Sequence, residues 1–333
     1  MQNTILVVAV SSLDFLNFSE KSRLLTRLNE LERSQNGSAL RFLGGASFGQ
    51  ICLLSGRPLE RTVRISRWDG KELLRLSKKG ALEAAALGIK FVLYEDSLYP
   101  PLLREIADPP FALFYRGDIS VLLGRTVSVV GTRRLSPEGR KAAWDFSYEA
   151  ASNAFCVVSG LAAGADGQAH QGALDAFFDK KSSACLTAAI LAGGVDNIYP
   201  SSHKKIAGQI IENGGCVLSE SAPGLPGEKW RFVSRNRIIA GLSPATLVVQ
   251  APPGSGALLT ADFALGYNRE IFFHQACFCK NALVLSSLVH KNLAAQKGAA
   301  ALRKIQTRPE SYIRDGAKIV GCFSDFLNLS LDK

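Results

Sequence analysis

Arginine and hydroxyl side chains follow a short apolar run at a glycine-rich turn. This turn contains Gly131, Thr132, Arg133 and Arg134. A strand that continues into a helix through glycine leaves unpaired backbone N–H groups at the helix N-terminus, where the helix dipole favours an anion. Ser136 can cap this helix, and Pro137 suits its first position. Because arginine can donate two hydrogen bonds to one phosphate, we expect the turn to bind phosphate; the alternative is a capped turn with solvated arginines.

A second turn combines a serine, an aspartate and a histidine. It runs from Ser159 and Gly160 to Asp166, and His170 follows on the same helical face. These residue types would suit a hydrolase, but the Gly-x-Ser-x-Gly sequence that exposes a nucleophilic serine is missing. We therefore expect Asp166 to cap the helix or bind loop amides, and His170 to pack at the helix start. Ser159 remains a candidate phosphate contact.

A cluster of cations and aromatic residues occupies positions 229–237. Four cations and two aromatic rings lie within these nine residues. Cations that hold the backbone and an aromatic ring that stacks on a base together grip single-stranded nucleic acid without reading its sequence. The aromatic residues, Trp230 and Phe232, also suit a place in the core. Arg235 and Arg237 suit either phosphate or a carboxylate partner such as Glu220.

A fourth glycine-rich turn offers backbone amides and a hydroxyl at another helix start, around Ser255 and Gly256. The chain lacks both the Gly-x-Gly-x-x-Gly sequence and the Gly-x-x-x-x-Gly-Lys-Ser/Thr loop of common nucleotide-binding proteins. Among seven cysteines, Cys277 and Cys279 are close together, at a spacing that fits no common zinc or redox motif. We therefore expect no cofactor and no metal.

The overall charge favours a polyanionic partner. The 333 residues include 39 Lys and Arg against 29 Asp and Glu, a formal net charge of +10, which suits nucleic acid or an acidic membrane surface. The apolar run over residues 5–10 has no basic flank and is too short to span a bilayer, so we expect neither secretion nor membrane insertion. The odd cysteine count indicates reduced thiols, with Cys156 and Cys185 buried, in a cytoplasmic protein.

Alternating short apolar runs and helical stretches predict an α/β fold. Continuous Val, Ile, Leu and Ala runs are typical of strands that are buried on both faces of a parallel sheet. Ligands bind at the carboxyl ends of such strands, where the glycine-rich turns fall. Strands are predicted over 126–130, 155–158, 186–191, 216–218, 246–249 and 270–273. Helices are predicted over 137–151, 166–178, 202–212, 233–241 and 257–267.

The N-terminal part has a different, helical pattern. Helices are predicted over 19–32, with Ser19 as a cap, and over 68–87. Proline pairs between residues 99 and 110 predict a linker. We therefore expect a small, mainly helical domain over 1–95 and a Rossmann-like domain over 96–333, with a mainly parallel sheet and helices on both faces. Residues 312–327 suggest a closing turn, strand and helix.

In their order along the chain, these motifs resemble the DprA/Smf family of DNA processing proteins, over about residues 99–273 and more weakly to 327. The matching motifs are Tyr99-Pro100, Asp108-Pro109-Pro110, Gly131-Thr132-Arg133, Ser159-Gly160 to Asp166 and His170, Gly193-Gly194-Val195-Asp196, Tyr199-Pro200, Ser219-Glu220, Arg235 to Ser243, Ser255-Gly256 and Leu259-Thr260.

The resemblance implies a homodimeric protein that binds single-stranded DNA, protects it during natural transformation and helps to load the RecA recombinase. The residues then assigned to DNA are Gly131, Thr132, Arg133, Arg134, Ser159, Gly160, Lys229, Phe232, Arg235, Asn236, Arg237, Ser255 and Gly256. Three motifs depart from the family pattern: Val233 replaces a proline, Gly254 replaces a lysine, and His274-Gln275-Ala276 replaces Val-Pro-Gly. We also expect no C-terminal winged helix.

Two further hypotheses stay open beside a DNA-binding protein without enzymatic activity. Related Rossmann-like folds include nucleotide N-glycosidases, which carry a Pro-Gly-Gly-x-Gly-Thr loop followed by a catalytic glutamate. The comparable loop here contains Ser255, Gly256 and Ala257, and no glutamate follows Thr260 closely. The third hypothesis is an interaction scaffold that has lost much of its DNA binding.

Overall fold

A computed structural model of the chain describes residues 1–35, 37–59, 68–296, 300 and 305–331. In this part of the chain nine strands form one sheet, in the order β1-β2-β6-β5-β4-β3-β7-β8-β9. The strands β1 to β9 span Lys90–Leu93, Ala112–Gly117, Arg125–Val130, Phe155–Ser159, Thr187–Ile190, Cys216–Ser219, Ala245–Val248, Glu270–His274 and Lys318–Val320.

The sheet is mainly parallel. The strands from β6 to β9 in the sheet order pair in parallel, whereas β2 is antiparallel to both β6 and β1. All six strands predicted between residues 126 and 273 are present, which confirms the expected α/β, Rossmann-like fold. The strand expected between residues 312 and 327 is β9.

The N-terminal region is helical, as predicted. Helices α1 to α5 span Gln2–Ser11, Phe18–Ser34, Ser38–Gly45, Phe48–Ser55 and Gly70–Ala86. The expected cap of α2 at Ser19 is wrong. The Asn17 side chain accepts a hydrogen bond from the Glu20 amide, and the Glu20 carboxylate accepts one from the Asn17 amide. This reciprocal pair satisfies two backbone amides and fixes the start of the helix.

The remaining helices cover both faces of the sheet. Helices α6 to α14 span Pro101–Arg104, Pro137–Ser152, Ala165–Phe178, Lys204–Glu212, Lys229–Gly241, Gly256–Gly266, Lys280–Ala294, Pro309–Arg314 and Phe323–Leu331. On β3, Val129 packs in one cluster with Phe146 of α7, and Val130 packs on the opposite face with Ile239 of α10. Burial on two faces explains the continuous apolar strands.

The first 95 residues share a hydrophobic core with the sheet. Leu24 and Leu28 of α2 belong to the same buried cluster as Ala189 of β5 and Val217 of β6. Strand β1 lies before residue 95 and pairs with β2. The division into domains over 1–95 and 96–333 stays a proposal, and these contacts place the two parts against each other.

The proline-rich segment expected to be a linker is packed. Tyr99 is fully buried and donates a hydrogen bond from its hydroxyl to the Pro110 carbonyl, at 2.7 Å. Leu103 of α6 is also fully buried. Two strands that the sequence analysis did not assign, β1 and β2, flank this segment. In the described residues no helix combines the length and the apolar character needed to cross a membrane.

Candidate nucleic-acid interface

The sheet has its topological switch point beside β3. Strands β4 and β7 lie on opposite sides of β3, so the turns that follow β3 and β7 diverge at the carboxyl edge. Open α/β sheets bind ligands in the crevice at such a point. A cavity of about 430 Å³ lies there, bounded by the turn after β3, the loop after β4, helix α10 and the start of α11.

Close backbone packing positions the turn after β3. The Thr132 amide donates to the Gln250 carbonyl at 2.7 Å, and the Thr132 carbonyl accepts from the Ala165 amide at 3.2 Å. A Cβ on Gly131 would lie 2.6 Å from the Ala165 Cβ, and one on Gly164 would lie 2.3 Å from the Thr132 carbonyl oxygen. Both glycines are therefore required for the turn to fit against α8.

Ser136 caps α7, and Pro137 occupies its first position, as predicted. The Ser136 hydroxyl accepts from the Gly139 amide at 3.1 Å. Gln250, at the end of β7, holds this cap: its Nε2 donates to the Ser136 hydroxyl and its Oε1 accepts from the Ser136 amide. The sequence analysis missed Gln250, because a buried amide that braces a loop leaves no local sequence signal.

The two arginines of this turn are exposed at the cavity rim. The Arg133 guanidinium carbon lies 5.9 Å from the centroid of the Phe232 ring. Phe232 is half-buried and meets the exposed Tyr199 ring edge-to-face at 5.7 Å. Phe232 also lines a second cavity of about 300 Å³, formed with Tyr199 and Gly193. A cation and an accessible aromatic ring therefore stand side by side.

Arg235 lies buried in the cavity wall. Its Nη1 donates to the Ile190 carbonyl at 2.9 Å, and its Nε has no hydrogen-bond partner among the described residues. Burial lowers the pKa of Arg235; the Asp166 carboxylate opposes this shift, and the positive charge of Arg133 adds to it. The side chain nevertheless presents a permanent cation, since arginine stays protonated in proteins.

Asp166 and His170 have structural partners, as expected. The Asp166 carboxylate accepts from the Gly160 and Ala162 amides at 3.2 and 3.3 Å. Burial raises the pKa of Asp166, and the Arg235 charge counteracts this shift. His170 is fully buried with its Nδ1 2.7 Å from the Thr187 hydroxyl. This pair therefore forms no catalytic arrangement with a serine.

The Ser159 hydroxyl lies away from the cavity surface. Ser159 is fully buried and donates to the Val129 carbonyl at 2.6 Å. The Gly160 amide is bound to Asp166, so neither of these two groups faces a ligand in this structure. Their assignment to phosphate stays a prediction, and the hydrogen bonds to the Val129 carbonyl and the Asp166 carboxylate favour a structural role for both.

Helix α10 begins four residues earlier than the predicted start at Val233. It starts at Lys229, so the cation and aromatic cluster forms the first turns of the helix itself. The prediction was wrong because apolar periodicity starts only after this cluster, whereas Pro226 and Gly227 end the preceding segment earlier. Lys229 is exposed at the helix start and lies outside the cavity lining.

Arg237 points to a different side of α10 from Arg235. Residues two positions apart in a helix are separated by about 200° of rotation around its axis. The Arg237 guanidinium donates to both Glu220 carboxylate oxygens, at 3.1 and 2.7 Å, and to Asp108 at 2.8 Å. The sequence left phosphate and a carboxylate open as partners of Arg237. In the structure Arg237 is paired with carboxylates.

The start of α11 completes the cavity. The Ser255 hydroxyl is buried in its wall and has no hydrogen-bond partner among the described residues. Gly256 is exposed, and its carbonyl accepts from the Asn236 side chain at 3.4 Å. Ser255 occupies the N-cap position without a side-chain cap bond. The hydroxyl therefore has an unused hydrogen-bonding capacity in the cavity wall.

The lining is suited to binding an anion. It contains Arg133, Arg134 and Arg235, and Asp166 supplies the one carboxylate among the described residues that line the cavity. Asp166 is held by two loop amides. The next acidic residue along the chain after the turn that starts α11 is Asp262, which accepts a hydrogen bond from the Tyr312 hydroxyl at 2.6 Å. The cavity therefore combines three cations with a single, engaged carboxylate.

A doubly wound sheet with a cation-lined cavity at its switch point defines a class of α/β anion-binding proteins. Within this class, residues 90–328 match the family model for DNA recombination-mediator protein A. Since the match covers most of the chain, the protein belongs to this family, and the resemblance drawn from the motifs is confirmed.

Individual relatives agree with this assignment. Protein Smf of Borreliella burgdorferi is 28% identical over 300 residues, which cover 88% of this chain and 92% of the relative. The crystal structure of DNA processing protein A from Streptococcus pneumoniae matches with a TM-score of 0.65 at 25% identity, over 98% of this chain and 97% of that one. Several other curated relatives are matched over only about half of their own length.

A second solved structure shares the fold. DNA processing protein A from Helicobacter pylori matches with a TM-score of 0.55 at 24% identity, over 73% of this chain and 96% of that one. That structure is described as showing a single-stranded DNA binding mode. At this identity the similarity shows a common fold.

Proposed function

We propose that the cavity holds the backbone of single-stranded DNA and that the protein acts by binding rather than by catalysis. The observation that carries this proposal is the pair of unpartnered donors in the cavity wall, the Arg235 Nε and the Ser255 hydroxyl. A buried donor without a partner costs roughly 1–3 kcal/mol. Phosphate oxygens of a bound strand are suited to both kinds of group, in a wall that already carries three cations.

The aromatic ring beside the cations favours an unpaired strand. Phe232 lies 5.9 Å from the Arg133 guanidinium, so a phosphate on Arg133 leaves the adjoining base within reach of the ring. In a duplex the faces of each base are covered by its neighbours. Stacking on Phe232 therefore requires a single strand.

The structure narrows the set of residues that we propose for the interface. We retain Gly131, Thr132, Arg133, Arg134, Phe232, Arg235, Asn236, Ser255 and Gly256, which border the cavity, together with the exposed Lys229. We assign Arg237 to the ion pairs with Glu220 and Asp108, and Ser159 and Gly160 to the packing that supports Asp166 and Arg235.

Family membership supports a wider biological role, which we also propose. The role is DNA processing during natural transformation or recombination, by a homodimer in contact with the RecA recombinase. All seven cysteines are free, which supports a reducing, cytoplasmic compartment.

The alternative is a nucleotide N-glycosidase. Acid–base catalysis needs a carboxyl group that reaches the reacting bond, and the Asp166 carboxylate is already bound to the Gly160 and Ala162 amides. Incubation of the protein with nucleoside monophosphates and with single-stranded DNA tests this alternative. Release of free base by the wild-type protein would establish the enzyme and remove the binding-only proposal.

The proposal is tested by fluorescence anisotropy with single-stranded and duplex oligonucleotides at two salt concentrations. We expect preference for the single strand and a steep loss of affinity with salt. Arg133→Ala should weaken binding about tenfold and reduce the slope of log K against log[salt] by about 0.7 for each phosphate that Arg133 neutralises in the wild-type protein.

Arg41→Ala is a matched control, since Arg41 is an exposed arginine on α3 outside the cavity lining. It should leave both the affinity and the salt slope unchanged. Equal affinity for duplex, binding insensitive to salt, or an equal effect of the two substitutions would contradict the proposal.

A further inference from the structure

Trp230 is an exposed aromatic side chain on the opposite side of α10 from the cavity. It precedes Phe232 by two residues, which corresponds to about 200° of helical rotation. Phe232 lines the cavity, whereas Trp230 borders a recess between α10 and the segment that joins α1 to α2. Trp230 is 48% exposed, so its ring is not required to fill the core.

The orientation of the Trp230 ring is fixed. Its Nε1 donates to the Glu228 carboxylate. The Arg231 guanidinium carbon lies 4.4 Å from the ring centroid, and that guanidinium is itself anchored to Asp14 at 2.6 Å and to the Ser221 hydroxyl at 3.0 Å. One face of the indole is therefore covered by an ordered cation, which leaves the opposite face to account for the 48% exposure of the residue. An ordered, half-exposed ring is preorganised for stacking.

We propose that the open face of Trp230 stacks on a second base of the strand that enters the cavity. This inference rests on the proposed function and extends it to a residue outside the cavity. The strand would cross the start of α10, where Lys229 is exposed and where no side chain caps the helix among the described residues. Side chains on opposite sides of a helix stand about 10 Å apart, the width of a helix, so a few nucleotides would connect the two rings.

The charges around Trp230 indicate a contact with a base and not with a phosphate. Asp14 and Asp108 border the same recess, with side chains 42% and 59% exposed. The cations on that side are all engaged: Lys21 with the Ser11 carbonyl at 2.9 Å, Arg231 with Asp14, and Arg237 with Glu220 and Asp108. None of the described residues that line the recess is therefore a free cation for a phosphate, whereas a neutral base can lie over the indole. Binding at Trp230 should therefore add affinity without adding to the salt dependence.

Tryptophan emission gives a direct test. Of the three tryptophans, Trp68 donates to the Ala46 carbonyl and Trp144 to Asp175, each at 2.7 Å, and both are half-buried. Titration of the wild-type protein with an oligo(dT) long enough to pass both rings should quench the emission, because a stacked base quenches an indole. The same titration of Trp230→Phe should show little quenching, although this variant retains most of the affinity.

Affinity measurements separate stacking from a structural effect. Trp230→Ala should weaken binding of the long oligo(dT) about tenfold, with an unchanged salt slope. An oligonucleotide of the same length made of abasic sites keeps the phosphates and lacks the bases, so it should bind wild type and Trp230→Ala equally. Phe178→Ala is the control, because Phe178 is 46% exposed, at the far end of α8.

The outcomes distinguish this inference from the proposed function. If the wild-type protein binds with the expected salt slope but its emission is not quenched, or if Trp230→Ala binds as tightly as wild type, the second stacking site is overturned and the cavity proposal stands. If wild type fails to bind single strands, the proposed function fails first. Should Trp230→Ala fold poorly, the quenching difference between wild type and Trp230→Phe still decides the question.

Discussion

Gly160 lies in direct contact with the guanidinium of Arg235. A Cβ on Gly160 would lie 1.5 Å from the Arg235 Nη1, which is a covalent bond length and closer than two nonbonded atoms can approach. The loop after β4 therefore determines where the buried cation of α10 stands. A residue that carries no functional group thus controls the charge at the wall of the cavity.

The first prediction concerns this contact. Gly160→Ala should displace the Arg235 side chain and lower single-strand affinity by about tenfold, with a smaller relative effect on stability, since a long flexible side chain can move aside. Anisotropy and urea unfolding of the same samples measure both quantities. Gly208→Ala is the control: its nearest neighbour is 4.0 Å away, within α9, so it should stabilise by up to about 1 kcal/mol and leave binding unchanged. A full-affinity Gly160→Ala protein would contradict the role of Arg235.

The second prediction assigns Arg237 to stability. Its guanidinium is buried, and it donates to Glu220 and Asp108. Removal of one partner of a buried pair leaves an uncompensated charge, but the partly exposed carboxylates reduce this cost. Arg237→Ala should therefore lower the free energy of unfolding by about 3 kcal/mol, while the salt slope of DNA binding stays unchanged. Glu220→Gln in the same chain should restore part of the stability, and a reduced salt slope would instead show a phosphate contact.

The third prediction concerns the pH dependence of stability. Burial lowers the pKa of His170 to about 3, so the folded state holds this ring neutral. The unfolded chain takes up the proton below about pH 6.5, so stability is lost as the pH falls from 6.5 towards 3, by up to about 1.4 kcal/mol for each pH unit. An asparagine at position 170 can replace the hydrogen bond between the His170 Nδ1 and the Thr187 hydroxyl.

His170→Asn should therefore unfold with a flatter pH dependence between pH 6.5 and 5 than wild type, as measured in urea. The comparison with wild type cancels other titrating groups, such as His274, whose pKa burial also lowers. Parallel profiles of wild type and His170→Asn would exclude the buried neutral ring as the source of the slope.

The fourth prediction separates helix capping from DNA binding. Ser136 caps α7 beside the turn that carries Arg133, and Ser47 caps α4 in the N-terminal region. Substitution of either serine by alanine should cost about 1 kcal/mol of stability. The affinity for single strands should fall only in Ser136→Ala, because only that cap orients the turn at the cavity. Equal affinities of the two variants would show that the turn is held without its cap.

The sequence predicted the parts of the fold that depend on burial. Six parallel strands were found because residues buried on both faces form continuous apolar runs. Strands β1 and β2 were missed, because the prolines between them indicated a linker, whereas Tyr99 anchors that segment in the core. Helix α12 was not predicted, because most of its residues are exposed.

The sequence predicted the glycine-rich turns of the candidate site correctly. It predicted the start of α10 and the partners of its arginines less well. The first turn and its Ser136 cap follow from local residue types. The difference between Arg235 and Arg237 depends on which side of the helix each occupies, and on partners such as Glu220 and Asp166 that are brought close by the fold. No local pattern contains that information. Whether the retained residues bind DNA stays a prediction.

The position of β1 matters for any shortened version of the protein. A chain cut at residue 96 would lose β1 and leave β2 as an edge strand. The unpaired backbone groups of this edge strand would promote pairing with another molecule. The cut would also remove the N-terminal helices that cover the apolar surface around Val217. Self-association of such a truncated chain would then arise from the cut itself, whereas the proposed homodimer must form with β1 in place.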